Sequence, residues 1–285
     1  MTAPLPSYAI ARVSGIEPLT PRMRRITLDS DDLVGVEQVA PDQQVKLFFA
    51  RDGGVPEIPP APDDGSVAGW YARYLAVPEQ RRPWMRSYTV RALDPDAGRM
   101  VVDFVLHGEG EPGGGHAGPA SRWAARAAIG DPVGVLGPAV AGYRSPDGEP
   151  VRLLVGDETA LPAIGAIVEQ LPAGTRAVAV VEVAGPEEEQ ELPGAEVHWV
   201  HRGAGTLLDA VRAVELPATA AEPVFAWVAG EASAVRAVRR HLVGERGLDK
   251  ARVAFTGYWR RDLTQDDAPT EQDMADVAEQ MPVTS

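Results

Sequence analysis

Val151-Arg152-Leu153-Leu154-Val155-Gly156-Asp157-Glu158-Thr159-Ala160-Leu161-Pro162 is the stretch on which the fold turns. An apolar run of strand length meets a glycine and two carboxylates, and a helix over about 159–170 opens at once. Further strands are expected at 177–183, 197–200, 224–229 and 253–256, with helices near 207–214 and 232–243. Strands alternating with helices make a parallel sheet, because parallel neighbours need a crossover between them. In open sheets of this kind the phosphates of a nicotinamide cofactor bind at the carboxyl ends of the strands. Gly156, Asp157, Thr159 and Ala160 are therefore candidate cofactor contacts. The loop holds one glycine where the dinucleotide fingerprint has several, and Asp157 and Glu158 would repel phosphate unless turned outward.

Upstream the rhythm is different. Short strands are expected at 9–16, 23–28, 44–50, 85–93, 100–107 and 132–136, divided by Gly and Pro, which is the pattern of an antiparallel barrel or sandwich. One helix interrupts it, with Pro119 in its first turn and Gly130 just past its end. The span 51–69 carries Gly53, Gly54, Pro56, Pro59, Pro60, Pro62 and Gly65 and reads as a loop. A turn-rich joint at 142–150 separates an expected domain at 1–145 from one at 150–261. The remainder, 262–285, has seven acidic residues and no basic one. There Met274, Val277, Ala278 and Met281 fall at helical spacing behind a Thr270 N-cap, which predicts an acidic C-terminal helix; a solvated tail fits the composition as well.

Composition removes several kinds of chemistry. The 285 residues contain no cysteine, so disulfides, thiolate zinc sites, iron–sulfur clusters and thiol nucleophiles are excluded, and redox work has to use a bound organic cofactor. A net charge of -14, with Lys46 and Lys250 the only lysines, disfavours nucleic acid as a partner. No apolar run approaches the roughly 20 residues that cross a bilayer, and 1–8 has no leader pattern, so a cytoplasmic location is expected.

Arg86-Ser87-Tyr88-Thr89 lies in a strand, where alternation sends Arg86 and Tyr88 to one side and Ser87 and Thr89 to the other. A flavin uses such a mixture: a bidentate cation for pyrophosphate, an aromatic face for the ring and a hydroxyl near its reactive nitrogen. His107-Gly108 and Gly118-Pro119-Ala120-Ser121-Arg122-Trp123 form a second candidate, a helix opened by glycine whose free N–H groups and dipole suit a pyrophosphate. Ser121 adds a hydroxyl, and His107, at its strand's end, is placed to reach the same phosphates or the ribityl chain.

These pieces, in this order, resemble the siderophore-interacting protein family, a branch of the ferredoxin-reductase-like flavoproteins. Arg86 to Thr89 resembles its flavin motif, Asp103 to Gly108 with Gly118 to Trp123 its second flavin segment, Gly156 to Pro162 its nicotinamide loop, and Gly257-Tyr258-Trp259-Arg260-Arg261 its closing segment. The resemblance implies an N-terminal Greek-key β-barrel that binds FAD, then an α/β domain with a parallel sheet that binds NAD(P)H, and release of iron from ferric siderophores by reduction. It implies that Arg86 holds the pyrophosphate, Tyr88 flanks the flavin ring and Thr89 hydrogen-bonds near its reactive nitrogen. Trp259 or Tyr258 would lie near the ring's other face.

A hydride carries two electrons and ferric iron takes one, so a flavin, which accepts a pair and releases it singly, is a suitable converter. No metal site on the protein is expected, nor an obligate protein partner. Lys46, within Val45-Lys46-Leu47-Phe48-Phe49, with Arg260 or Arg261, is the candidate attractor for an anionic ferric siderophore. The acidic run Glu187, Glu188, Glu189 and Glu191 favours NADH as donor, while Arg202 keeps NADPH open. A general flavin or oxygenase reductase, or a siderophore carrier without catalysis, would share these features.

Overall fold

The computed structural model describes residues 8–60, 66–107, 117–137, 143, 150–217, 223–261 and 263. The chain divides into two units, 1–141 and 142–285.

The first unit is built on strands β1 (Tyr8–Thr20), β2 (Met23–Asp29), β3 (Gln44–Phe49), β4 (Trp84–Thr89), β5 (Ala92–Asp94), β6 (Arg99–Val105) and β7 (Pro132–Leu136). They form one sheet in the order β4-β3-β7-β1-β2-β6-β5, every neighbour antiparallel, and the interleaving of early with late strands is that of a Greek key. Alternation sends Ala9, Ala11 and Val13, Ile26 and Leu28, Val45, Leu47 and Phe49, and Met100, Val102 and Phe104 into a shared core. Helix α2 (Pro119–Arg126) closes that core with Ala120 and Ala124.

Two expectations need correction here. The span 85–93 is two strands, because the backbone changes partner after Thr89: Val90 N still bonds Gln43 O on the β3 side at 2.7 Å, while Arg91 N turns to Val101 O of β6 at 2.9 Å. The expected loop 51–69 ends in a helix, α1 (Val67–Ala76), started by Ser66, whose hydroxyl accepts from Gly69 N at 3.0 Å. Trp70 and Tyr74 bring α1 onto the outer face of β3, where the ring of Phe48 meets them edge-on at 5.8 and 6.0 Å. The Pro and Gly residues that suggested a loop stop at Gly65, and the helix begins just beyond them.

The second unit holds β8 (Val151–Asp157), β9 (Arg176–Val183), β10 (Ala195–His201), β11 (Val224–Glu231) and β12 (Val253–Trp259), all parallel, in the order β10-β9-β8-β11-β12. β8 is buried along its whole length, as a central parallel strand has to be. Helices α3 (Leu161–Glu169), α4 (Leu207–Ala213) and α5 (Ala232–Arg240) make the crossovers. α3 begins two residues later than expected because Ala160 N bonds Asp157 O at 2.9 Å in a turn of its own. α5 ends at Arg240 and passes into a π-helical turn, His241–Glu245, so the expected helix over 232–243 is two elements. The expected helix in 262–285 falls outside the described residues. Among the described residues no helix is long and apolar enough to cross a membrane.

From β8 the sheet grows through β9 to β10 in one direction and through β11 to β12 in the other. The order therefore reverses between β8 and β11, and their carboxyl ends flank the crevice where open α/β sheets hold ligands.

Phe48 has no exposed surface and joins α1 to the sheet. Replacing it by alanine is expected to cost about 3–5 kcal/mol through lost transfer energy and a cavity. The measurement is urea denaturation followed by tryptophan emission, with Trp70 reporting the loss of α1 docking.

Candidate functional site

In the first unit the candidate residues gather on β4 and α2. Arg86 and Tyr88 stand opposite Leu47 and Val45 of β3, on the core side. The Tyr88 ring tilts against Phe104 at 4.4 Å, and Phe104 in turn meets Trp123 of α2 at 5.6 Å. Burial pushes the Tyr88 phenol well up, only partly offset by the Arg86 charge, so the hydroxyl stays protonated and can donate. One guanidinium nitrogen of Arg86 donates to Met85 O at 2.8 Å. Thr89 is buried at the end of β4, opposite Gln44.

The other face of the same two strands carries Lys46 and Ser87, directly opposite one another, and the lysine ammonium donates to the serine hydroxyl at 2.5 Å. Burial pulls the Lys46 pKa down, and among the described residues no carboxylate pairs with it. A half-buried ammonium bonded to one hydroxyl keeps two donors for a guest.

At the end of β6 the Ser121 hydroxyl accepts from His107 N at 2.9 Å and lies 3.4 Å from His107 O, so it fastens α2 to the strand. His107 itself is exposed. α2 starts at Gly118 with Pro119 in its first turn, and no side chain caps its N–H groups. Those open donors, the Arg86 guanidinium, a donating Tyr88 and the Thr89 hydroxyl form a set whose chemistry fits FAD. Gly108 and 109–116 lie outside the described residues.

In the second unit the loop after β8 has an unexpected arrangement. Asp157 and Glu158 are not turned outward: they are 4% and 9% exposed. One Asp157 oxygen accepts from Thr159 N at 2.9 Å and from the Thr159 hydroxyl at 2.5 Å. The other accepts from Glu231 N and from Trp259 Nε1, each at 2.8 Å. Desolvation, then the neighbouring charge of Glu158, raise the Asp157 pKa to about 6 against the lowering effect of those donors. Glu158 places both oxygens 2.6 Å from one Arg202 nitrogen, and Glu182 lies 3.5 Å from another.

Gly156 has its reason in packing, since a Cβ there would lie 2.4 Å from the Ala160 Cβ and 2.7 Å from Ala229 O. Ala160 therefore packs directly on Gly156 at the head of α3, whose first turn no side chain caps. Tyr258 meets Trp227 edge-on at 6.3 Å; Arg260 follows β12 half-buried and Arg261 exposed. Sequence reading did not single out Glu231 or the Asp157–Trp259 bond, which joins residues 102 apart in the chain. Among the described residues no group of three His, Asp or Glu could hold a metal ion.

Comparison with known proteins agrees with this layout. The profile described as the siderophore-interacting FAD-binding domain matches residues 12–142, and the one described as siderophore-interacting protein matches 150–262. An uncharacterized protein of Mycobacterium tuberculosis is 37% identical over 268 residues, covering 87% of this chain and 88% of its own. The ferric vibriobactin reductase ViuB of Vibrio cholerae is 30% identical over 247 residues, 83% of each chain. The siderophore utilization protein of T. fusca superposes with a TM-score of 0.75 at 35% identity, over 94% of this chain and 97% of that one. With both halves matched in order and relatives aligned along nearly their full length, the chain belongs to the siderophore-interacting protein family.

Proposed function

We propose that the protein is an FAD-dependent reductase that takes electrons from a nicotinamide cofactor and passes them to iron(III) in a siderophore. Lys46 carries this reading: a half-buried cation, paired with no carboxylate among the described residues and one strand from the flavin-type Arg86-Ser87-Tyr88-Thr89, matches an anionic oxygen-rich acceptor. The ferric vibriobactin reductase activity named for the Vibrio cholerae relative supports the same substrate class.

Bound FAD supplies the conversion of one hydride into two single electrons. The chain supplies position and charge. Arg86 and the open first turn of α2 would hold the pyrophosphate, and Tyr88 and Thr89 would contact the flavin, the one through its aromatic ring and the other through its hydroxyl. Lys46 draws the ferric complex and steadies its anionic ligands, and Arg260 and Arg261 add positive charge to the second unit. Reduction releases the metal because hard anionic oxygens hold Fe(III) much more tightly than Fe(II).

The donor is NADH in this reading. Arg202, the basic residue placed to meet a 2'-phosphate, is already occupied by Glu158 and Glu182, and Glu189 holds His201 at 2.8 Å. A second negative group would meet carboxylates before it met a free guanidinium.

The decisive experiment is anaerobic stopped-flow on the FAD-loaded protein. NADH should bleach the flavin, ferric siderophore should restore it, and an Fe(II) trap should colour in step. A reduced flavin indifferent to every ferric complex would sink the reductase reading, and ferric complex bound with no NADH oxidation would mark a carrier. Lys46→Met is expected to raise KM for an anionic ferric siderophore roughly tenfold, the scale of one desolvated charge contact, with a smaller effect on bleaching by NADH. The double change Glu158→Gln with Glu182→Gln frees Arg202 and is expected to narrow the NADH-over-NADPH ratio of kcat/KM about tenfold; an unchanged ratio would remove Arg202 from donor choice.

A further inference from the structure

We infer that Asp157 is a positioning residue for the hydride donor: it does not grip the cofactor but fixes the Trp259 indole and the Gly230–Glu231 turn at the carboxyl ends of β8, β11 and β12. The inference rests on the nicotinamide reading of the second unit and names how that site is held in shape.

Both oxygens of Asp157 are already taken, each by two donors, and the side chain is 4% exposed. Such a carboxylate has no capacity left for a ribose hydroxyl, and its charge opposes a phosphate. Its contacts instead span the point where the strand order reverses. Thr159 belongs to its own turn, Glu231 ends β11 and Trp259 ends β12, opposite Glu231 in the ladder. The turn is shaped for this contact. Gly230 has φ +137°, and a Cβ there would lie 2.6 Å from the Asp157 oxygen that takes the Glu231 and Trp259 bonds. Any other residue would push the carboxylate off its donors.

The Trp259 indole has one N–H, and Asp157 accepts it, so this bond orients the half-buried ring. Fixing the ring fixes the edge that a nicotinamide meets at the switch-point crevice. The charged groups around Asp157 act in a consistent sense. Glu158 in the same turn repels it, Arg202 at the end of β10 balances Glu158, and the Glu231 carboxylate turns to the first turn of α5, accepting from Ser233 N at 2.9 Å and Ala234 N at 3.0 Å. With its folded pKa raised to about 6 from 3.8, Asp157 is ionised above pH 6, where it accepts all four bonds; below that a proton occupies one acceptor site.

The test uses FAD-free and FAD-loaded full-length protein, with Asp157→Asn and Trp259→Phe variants. The indole N–H resonance of Trp259 is identified by its loss in Trp259→Phe. In the wild type it should be slow to exchange at pH 7.5 and should move with a midpoint near 6; in Asp157→Asn it should exchange quickly and not move. In the loaded protein both variants should raise KM for NADH roughly fivefold, more than they lower kcat. Reoxidation of dithionite-reduced flavin by a ferric siderophore, which needs no donor, should change by less than about twofold in Asp157→Asn.

An indole resonance that neither titrates nor responds to Asp157→Asn overturns the inference, as does an unchanged KM in both variants. If Asp157→Asn does not fold, the wild-type indole titration and Trp259→Phe kinetics decide on the same terms. Failure of the wild type to be reduced by either nicotinamide would strike the donor reading instead, leaving the resonance to report on the Asp157–Trp259 contact alone.

Discussion

A carboxylate at the inner end of a fully buried strand has to be met by hydrogen-bond donors, because removing it from water costs several kcal/mol. Asp157 sits in that position, and the local form of the second unit follows from satisfying it. The chain after β8 turns back so that Thr159 supplies two donors, which delays α3 to Leu161. β11 passes through Gly230, with positive φ, just before its last residue so that the Glu231 N–H can point inward, and β12 runs to Trp259, whose indole completes the set. Without these four donors the end of β8 would be a charge without partners, and the crevice between β8 and β11 would lack a defined floor.

The first unit solves the opposite problem and leaves it half solved. Lys46 is a cation drawn partly out of water whose ammonium donates to the Ser87 hydroxyl, while Asp103 of β6 is held at 2.7 Å by Arg25 and lies 3.9 Å from Arg91. The difference is informative, because a carboxylate within reach of Lys46 would stabilise the resting protein and block an anionic guest. The overall charge of -14 makes the local cation more important. An anionic ferric complex is repelled at long range, and the 8–10 Å Debye length of physiological salt confines useful attraction to groups close to the acceptor.

Fold class was legible in sequence because burial leaves a period. The buried run Val151 to Val155 survives in the structure, as do the parallel and antiparallel sheets that the two rhythms implied, while β4 is half-buried along most of its length and its two sides show in its register with β3. Helix α1 was obscured because the Pro and Gly residues before it gave a stronger local signal than Trp70 and Tyr74 gave at helical spacing. The break in 85–93 was hidden because apolar alternation continues while the hydrogen-bond partner changes. Site residues were readable as types but not as roles. Ser121 is a hydroxyl beside a helix start, yet it spends its bonds on the His107 backbone; Asp157 follows a strand, yet faces inward. Contacts between residues 74 and 102 apart leave no local pattern to find.

One row of charges ties donor choice to donor placement. Glu182 and Glu158 hold Arg202; Glu158, being adjacent to Asp157, raises its pKa; and ionised Asp157 holds Trp259. Arg202 therefore acts in two directions. It is the group that would welcome a 2'-phosphate, and it also moderates the field that Glu158 exerts on Asp157. Removing Arg202 would leave Glu158 uncompensated and push the Asp157 pKa higher still, toward neutral pH, where a proton would begin to displace one of its donors. A change of donor made at Arg202 therefore carries a cost at Trp259, whereas a change made at Glu182, which meets Nε while Glu158 meets Nη2, leaves the Glu158–Arg202 pair in place. That asymmetry follows from distance, 2.6 Å against 3.5 Å, and under the proposed nicotinamide reading it makes Glu182 the position at which donor preference can move with least disturbance to Asp157 and Trp259.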